Sequence, residues 1–552
     1  EIGVRLVGSE MCIRDRDTYR GRNMSVISYI FIVFLMCTVI VYYIVPKKIQ
    51  WVVLLIASLI FYGYAGIEYL MLVSVTAIVV YLFSLRLQKS LDEQEKLAEG
   101  ADRRTARKIK AVEKTKRKKF LVMALVVVIG ILVVFKAMGF IITNIKRFIP
   151  YDGLQSIPDW KLIAPMGISF YTFMMVSYLV DLYNGHITAQ KNFFRYLSYV
   201  LYFPHVTQGP IARYEEVAHQ LWEPHHFSMD NIMRGVWLML WGFVKKIVIA
   251  DRIAAFTNAV FGDCFSYQGG VFLLVGIAYS VQIYCDFSGC MDIVRGASEC
   301  FGIVLGENFK RPYFSQTLPE FWRRWHISLG AFFREYVFYP VSTSKLFLKL
   351  NVKIRDHLGN VIGKVFAAGI PILCVWVLTG AWHGAKWNYI AWGLYHGILI
   401  CMSTLFEQPL ADLTGKLRIN TECISWQIFR MLRTFLLCVI GRLIFMGQGI
   451  GSSVYMIKSI VLHRSRIYDI VNDFSLAEGE WRVILIGCLV LLLVSVAQEI
   501  RERSGYQEDI RDWLMRQNWL FRWLVVGIAI ACVVMFGEYG SGATAAFIYE
   551  QF

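Results

Sequence analysis

Two segments decide how this chain folds: Pro319-Glu-Phe-Trp-Arg-Arg-Trp-His-Ile-Ser-Leu329 and Leu378-Thr-Gly-Ala-Trp-His-Gly-Ala-Lys-Trp387. Each places one histidine, His326 or His383, among apolar and aromatic residues of the kind found in membrane-spanning helices. An ionisable residue at membrane depth is costly, so by default it marks a functional site. We therefore expect a membrane protein whose chemistry depends on these two histidines.

The composition supports a membrane protein. Of the 552 residues, 57% are hydrophobic and 15% are aromatic, and the mean hydropathy is +0.49. Soluble proteins are roughly 45–50% apolar even when glycine is counted. We predict an all-α polytopic transmembrane bundle of about 11 to 13 transmembrane or re-entrant helices, because apolar stretches of roughly 20 residues recur along the chain.

The formal net charge of +16 does not indicate a nucleic-acid partner. The basic residues stand beside apolar stretches, and no nucleic-acid-binding motif accompanies them. They are better explained by membrane topology and contact with anionic lipid. The most basic loop, Arg86–Lys119, is either a helix on the lipid headgroups or a solvated charged hairpin.

The apolar pattern predicts the positions of the spans outside the histidine region. They are 25–45, 49–65, 69–85, 120–142, 164–183, 233–254, 271–285, 426–445, 481–497 and 519–536. Tyr196–Ile211 is interrupted by proline and glycine, which predicts a re-entrant segment buried in protein. Glu499–Asn518 alternates charged and apolar residues at helical spacing and predicts an interfacial helix.

Residues 1–23 are polar and precede the first apolar stretch. Val7–Arg16 resembles translated sequencing-adaptor read-through, so we expect this extension to be an artefact and Met24 to be the native start. The remaining residues, 24–552, are predicted to form one integral-membrane domain. Its core motifs lie in 164–397, and further helices follow in 426–552.

His383 is followed by Gly384, and the sequence predicts a helix end or break at this step. A neutral imidazole there can take a proton from a hydroxyl that attacks an acyl carbonyl, and return it to the leaving group. The glycine would allow a substrate to approach the backbone. A core histidine hydrogen-bonded across helices would look the same, so the residues alone leave both interpretations open.

The neighbouring polar residues also have two interpretations. Arg323 and Arg324 suit a phosphate or headgroup, but an anchoring interfacial helix would carry the same residues. His326 is either a second catalytic residue or an orienting partner. Asp286 and Asp292 have no third acidic ligand nearby, so no metal site is predicted, and Asp286 is expected to pair with an arginine. The remaining histidines have ordinary loop or packing explanations.

Together these motifs resemble the membrane-bound O-acyltransferase family, in its bacterial alginate O-acetyltransferase branch. The similar segments follow the family order over most of the chain. They are 165–173, 177–183, 203–213, 241–246, 250–252, 284–289, 309–314, 321–329, 380–384 and 392–397.

The resemblance implies a helical bundle with a central funnel or tunnel, in which His383 is catalytic and His326 is the second active-site histidine. Further candidates for substrate binding or for lining the tunnel are Trp382, Trp325, Arg323, Arg324, Asp286 and Ser288. No bound cofactor or metal is implied. The expected acyl donor is acetyl-CoA, and the expected acceptor is an exported cell-surface polysaccharide, as in alginate biosynthesis.

The same resemblance implies a multi-pass protein of the bacterial plasma membrane that works with an SGNH-type extracytoplasmic acetyltransferase. Two alternatives remain from the sequence. One is D-alanyl transfer to teichoic acid within the same family. The other is a transporter or exporter, since buried charged residues in a polytopic protein also suit that class.

Overall fold

The computed structural model describes residues 24–149, 162–464, 478–506 and 509–539. The N-terminal extension of residues 1–23 lies outside the described residues. In the described part, the regular structure is helical apart from one isolated antiparallel bridge between Phe309 and Trp325. The prediction of an all-α protein is therefore confirmed.

Within these residues, seven helices are long and apolar enough to cross a membrane, or eight if one bent pair counts as a single span. They are Lys47–Ala65, Ile67–Ala98, Arg103–Lys136, Val271–Glu299, Val365–His383, Gly479–Arg503 and Trp519–Phe536. This confirms a multi-pass membrane protein. Several other predicted spans are helical but shorter or more charged, such as Tyr29–Ile44.

The helices of the first half, in chain order, are α1 (Tyr29–Ile44), α2 (Gln50–Ala65), α3 (Ile67–Ala98), α4 (Arg103–Lys136), α5 (Met138–Phe148), α6 (Ile168–Asn184), α7 (Phe193–Leu201), α8 (Tyr214–Trp222), α9 (Met229–Phe243), α10 (Asp251–Gly262) and α11 (Val271–Glu299). Those of the second half are α12 (Leu318–Arg324), α13 (Ile327–Phe333), α14 (Tyr339–Ser342), α15 (Lys345–His383), α16 (Trp387–Leu405), α17 (Glu407–Lys416), α18 (Ile424–Met446), α19 (Ile450–Leu462), α20 (Glu478–Arg503), α21 (Ile510–Met515) and α22 (Trp519–Phe536). Two π-helical segments, Val244–Ala250 and Arg334–Phe338, join α9 to α10 and α13 to α14.

The chain divides into two compact units, one within residues 1–135, 163–235 and 294–305. In this unit the basic loop forms the charged ends of α3 and α4, which meet at a short turn. Its buried Glu113 accepts hydrogen bonds from Ser90 Oγ at 2.9 Å and Lys116 Nζ at 2.6 Å. Helix α7 ends at Leu201, and the residues after it are non-helical and buried, as the re-entrant prediction requires.

The second unit lies within residues 136–162, 236–293 and 306–552 and contains both motif histidines. The prediction of one interfacial helix over Glu499–Asn518 is wrong. Helix α20 continues to Arg503, and a separate helix of six residues, α21, follows. The apolar residues of this region are therefore divided between a long spanning helix and a short one.

Helices α15 and α16 form a tight hairpin in the second unit. A Cβ atom on Gly380 would lie 2.3 Å from the carbonyl oxygen of Tyr389, and one on Gly393 would lie 2.2 Å from that of Trp376. Only glycine permits this approach of the two backbones, which is how small residues bring helices together in membranes. The contact fixes the C-terminal end of α15, where His383 lies.

We expect Gly393→Ala to destabilise the protein, because the added methyl group would force α15 and α16 apart. Overpacking of this kind costs about 1–3 kcal/mol. The thermal unfolding midpoint of the purified protein in detergent should fall. A matched control is Gly369→Ala in α15, whose Cβ would lie 3.6 Å from its nearest neighbour, Cys401 Sγ. Equal midpoints for the two variants would contradict this account of the hairpin.

Candidate active site

His383 is the last residue of α15 and its side chain is only 6% exposed. Three aromatic rings surround the imidazole, with centroids at 4.8 Å (Trp382), 5.1 Å (Trp392) and 5.3 Å (Phe445). The walls are therefore apolar, but the position is the C-terminal end of a long helix. The helix dipole there favours a positive charge, and hence an imidazolium formed by proton uptake.

Gly384 has a structural role in this arrangement. A Cβ atom at this position would lie 2.6 Å from Cε2 of Tyr389. The Tyr389 ring occupies the space that the sequence suggested for a substrate. The glycine therefore allows the chain to turn from α15 into α16, and the expected approach of a substrate at Gly384 is not supported.

His326 stands between α12 and α13 and is 3% exposed. Its backbone is left-handed, with φ 48° and ψ 55°, which is uncommon outside glycine and strained. Its Nδ1 lies 3.3 Å from Oδ1 of Asn308. The same oxygen accepts hydrogen bonds from the backbone N–H and the hydroxyl of Ser328, both at 3.0 Å. Since an amide oxygen only accepts, Nδ1 of His326 donates, and Nε2 of the neutral ring carries the lone pair.

The chain around His326 is held by backbone pairing with the segment that contains Asn308. The N–H of Ile327 donates to the carbonyl of Asn308 at 3.0 Å, and that of Lys310 donates to the carbonyl of Arg324 at 2.9 Å. Asn308 was missed in the sequence. It immediately precedes the family-like segment Phe309–Phe314, but no spacing rule connects it to a histidine 18 residues later.

The structure brings the two motif histidines together. The Trp382 ring lies 5.9 Å from that of His326 and 4.8 Å from that of His383, so one tryptophan contacts both imidazoles. The ammonium of Lys136, at the end of α4, lies 5.9 Å from the centre of the Trp382 ring. Both predicted catalytic histidines and Trp382 therefore share one buried, mostly aromatic site.

His396, for which we predicted an ordinary packing role, lies in a group of tryptophans in α12, α15 and α16. Its ring centroid is 4.9 Å from that of Trp322, 5.4 Å from that of Trp376 and 5.2 Å from that of Trp392. It is 2% exposed. These contacts agree with a packing role. Trp392 belongs both to this group and to the wall around His383.

The two arginines before His326 differ from each other. Arg323 is exposed, whereas Arg324 forms ion pairs with Glu320 at 2.9 Å and with Glu499 of α20 at 3.2 Å. Glu499 also pairs with Arg311 at 2.9 Å. Arg324 is thus engaged in attaching α12 to α20, which supports its structural interpretation over phosphate binding.

Asp286 pairs with a lysine, whereas the sequence led us to expect an arginine. Nζ of Lys246 lies 2.5 Å from Asp286 and 2.9 Å from Asp251. Lys245 donates to Ser288 Oγ at 2.9 Å and pairs with Asp292 at 2.6 Å. These contacts join helix α11 to the π-helical segment that contains both lysines. Asp286 and Ser288 therefore have a structural function.

A metal site was not predicted. Among the residues that the structure describes, no group of three or more His, Cys, Asp or Glu side chains is arranged to hold a metal ion.

Comparison with known proteins shows which proteins this chain is similar to. The model of the membrane-bound O-acyltransferase family matches residues 59–353, a range that includes His326 and ends before His383. A probable alginate O-acetylase of Pseudomonas aeruginosa is 30% identical over 83% of this chain and 78% of its own length. A peptidoglycan O-acetyltransferase of Helicobacter pylori is 25% identical over 84% of this chain and 85% of its own.

A teichoic acid D-alanyltransferase of Bacillus subtilis is 29% identical, but over 46% of this chain and 62% of its own length. The family model, the long alignments and the multi-pass helical fold all agree. This chain therefore belongs to the membrane-bound O-acyltransferase family.

Proposed function

We propose that this enzyme transfers an acetyl group from a cytoplasmic acetyl thioester, such as acetyl-CoA, for O-acetylation of an exported cell-surface polysaccharide. The observation that carries the proposal is the joint burial of His383 and His326 in one aromatic site, in a chain of this family. Membership of an acyltransferase family leaves no support for the transporter alternative.

His383 has the role of general base in this proposal. The hydroxyl of the acceptor attacks the thioester carbonyl carbon while its proton passes to the imidazole. The tetrahedral intermediate then collapses, the carbon–sulfur bond breaks, and the imidazolium returns the proton to the departing thiolate. An ester and a free thiol result, so the histidine ends in its starting state.

Two features of the site support this role. The aromatic walls formed by Trp382, Trp392 and Phe445 exclude water, which would otherwise hydrolyse the thioester. The C-terminal end of α15 stabilises the imidazolium that each transfer creates. His326, with its lone pair on Nε2, supplies a second acceptor for a substrate hydroxyl or orients the donor.

The extent of similarity favours acetyl over D-alanyl transfer. The relatives named for O-acetylation align over 83% and 84% of this chain, and the one named for D-alanyl transfer aligns over 46%. We further propose a tunnel across the plasma membrane of a bacterium and an SGNH-type partner that completes transfer outside the cell. Trp382 and Trp325 are proposed to line the acyl site.

We expect His383→Gln to reduce acetyl transfer by about 10²–10⁴-fold, the usual contribution of a general base. The measurement is ester-bound acetate released by mild alkali from the polymer of expressing cells, at equal protein abundance in membranes. His396→Gln is the matched control, because it removes another buried imidazole of the same region. Full acetylation with His383→Gln would refute the assignment, and alkali-labile alanine in place of acetate would transfer it to the D-alanyl branch.

We expect Asn308→Ala to lower the rate of transfer by about tenfold or more, because His326 loses the acceptor that fixes its tautomer. Asn308→Asp keeps an oxygen at the same place and should retain more activity. The comparison is made by labelled acetate incorporation, with the thermal unfolding midpoint of each variant measured alongside. Equal losses in the two variants would show that the oxygen of Asn308 does not act through His326.

A further inference from the structure

Arg442 is a buried cation that the proposed reaction has not used. It lies on α18, within a stretch that the sequence indicates as an ordinary span, and it is 4% exposed. Its Nε and Nη2 atoms have no hydrogen-bond partner among the residues that the structure describes. No carboxylate of those residues lies within ion-pair distance of the guanidinium, unlike the buried Lys245 and Lys246 or the partly buried Arg324.

The guanidinium is held in place on one face. Its central carbon lies 4.6 Å from the centre of the Trp325 ring. Trp325 is the residue directly before His326 in the sequence. The preceding Gly441 is packed so closely on His396 that a Cβ there would lie 2.5 Å from its Nε2. Stacking on the ring offsets part of the cost of burying the cation, but it satisfies none of the N–H donors.

The unused donors form one edge of the guanidinium. In arginine, the N–H bonds of Nε and Nη2 run side by side, so this edge binds a single oxyanion or the two oxygens of a carboxylate. Phe445, three residues after Arg442 on α18, packs its ring 5.3 Å from that of His383. Arg442 is therefore a buried cation in the same aromatic cluster as the proposed general base, and a charged hydrogen bond is strongest in such a buried setting.

Two kinds of negative oxygen could engage such an edge. A resident anion would be bound throughout the cycle, whereas the carbonyl oxygen of the acyl group becomes negative only when the acceptor attacks. A donor placed in advance for a charge that develops during reaction is the usual electrostatic contribution to acyl transfer. The position of Arg442 in the same cluster as His383 favours the carbonyl oxygen of the acyl group. Proton uptake by His383 and the negative charge on this oxygen arise in the same step.

We propose that Arg442 donates hydrogen bonds through Nε and Nη2 to the oxygen of the tetrahedral intermediate, forming an oxyanion site opposite His383. This inference rests on the proposed acyl transfer and adds the group that stabilises its negative charge. No atom is transferred to or from Arg442. When the carbon–sulfur bond breaks, the negative charge leaves the oxygen as the carbonyl re-forms, and the proton on His383 passes to the thiolate.

The test uses membranes containing the full-length enzyme and its native acceptor, with labelled acetyl-CoA as the probe. We expect Arg442→Met to lower kcat by about 100-fold or more, the usual effect of losing an oxyanion donor, with little change in KM for acetyl-CoA. Arg442→Lys should regain part of the loss. The matched control is Arg433→Met, on the same helix, where the side chain is exposed and donates only to the carbonyl of Gln316 at 2.9 Å; it should keep normal kcat.

Chemical rescue separates a catalytic role from a structural one. Methylguanidinium added at millimolar concentration should restore part of the activity of Arg442→Ala, and it should restore none to His383→Ala. A normal kcat for Arg442→Met would overturn the proposal. So would a raised KM with unchanged kcat, which indicates a ground-state anion. A lowered unfolding midpoint with neither rescue nor recovery by lysine would indicate a structural cation and would equally overturn it.

The same assay distinguishes failure of the acetyl-transfer proposal from failure of the oxyanion inference. If the acetyl-transfer proposal fails, the wild type will incorporate no more labelled acetate than His383→Ala. If only the oxyanion inference fails, the wild type will be active and Arg442→Met will match it, or will differ only in KM or in stability.

Discussion

The close approach of α15 and α16 is the contact on which the site depends. The backbones meet at Gly380 and Gly393 with no room for a side chain on either. Because the hairpin is this tight, α15 ends at His383 and the chain reverses within three residues. Trp392 then comes from the second helix to face the histidine. A looser hairpin would keep the same residues but would not enclose the imidazole.

The charges in the second unit fall into two groups. The buried lysines of the π-helical segment and Arg324 all meet carboxylates, and these pairs join α10, α11, α12 and α20. Removing one partner of such a pair is costly, which explains why they occur together. Arg442 meets an aromatic face instead. All of these residues are charged, so their charge does not distinguish them. The cations that pair with carboxylates hold helices together, whereas Arg442, which stacks on an aromatic ring, is open to a reacting group.

The sequence predicted the membrane class and most spans because these depend on local composition. It also singled out, from short motifs, the two histidines that the structure brings together. It could not predict that Asn308 orients His326, since that contact requires two segments to pair and His326 to adopt a left-handed backbone. Similarly, an acidic residue in a span requires a cationic partner, but the identity of that partner depends on which helix faces meet. The partner of Asp286 is Lys246, where an arginine was expected. Arg442 was overlooked because one charged residue in an apolar stretch hardly alters the mean hydropathy of that stretch.

The π-helical segment Val244–Ala250 makes the protein sensitive to the deletion of a single residue within it. Consecutive residues of an α-helix are turned by about 100° from one another, so deleting one residue here would rotate everything after it by that angle. Asp251 would leave Lys246, and Arg252 would leave Glu480 and the carbonyl of Phe536. Substitutions at several of its positions preserve this register, whereas an in-frame deletion of a single codon would disconnect three helices at once.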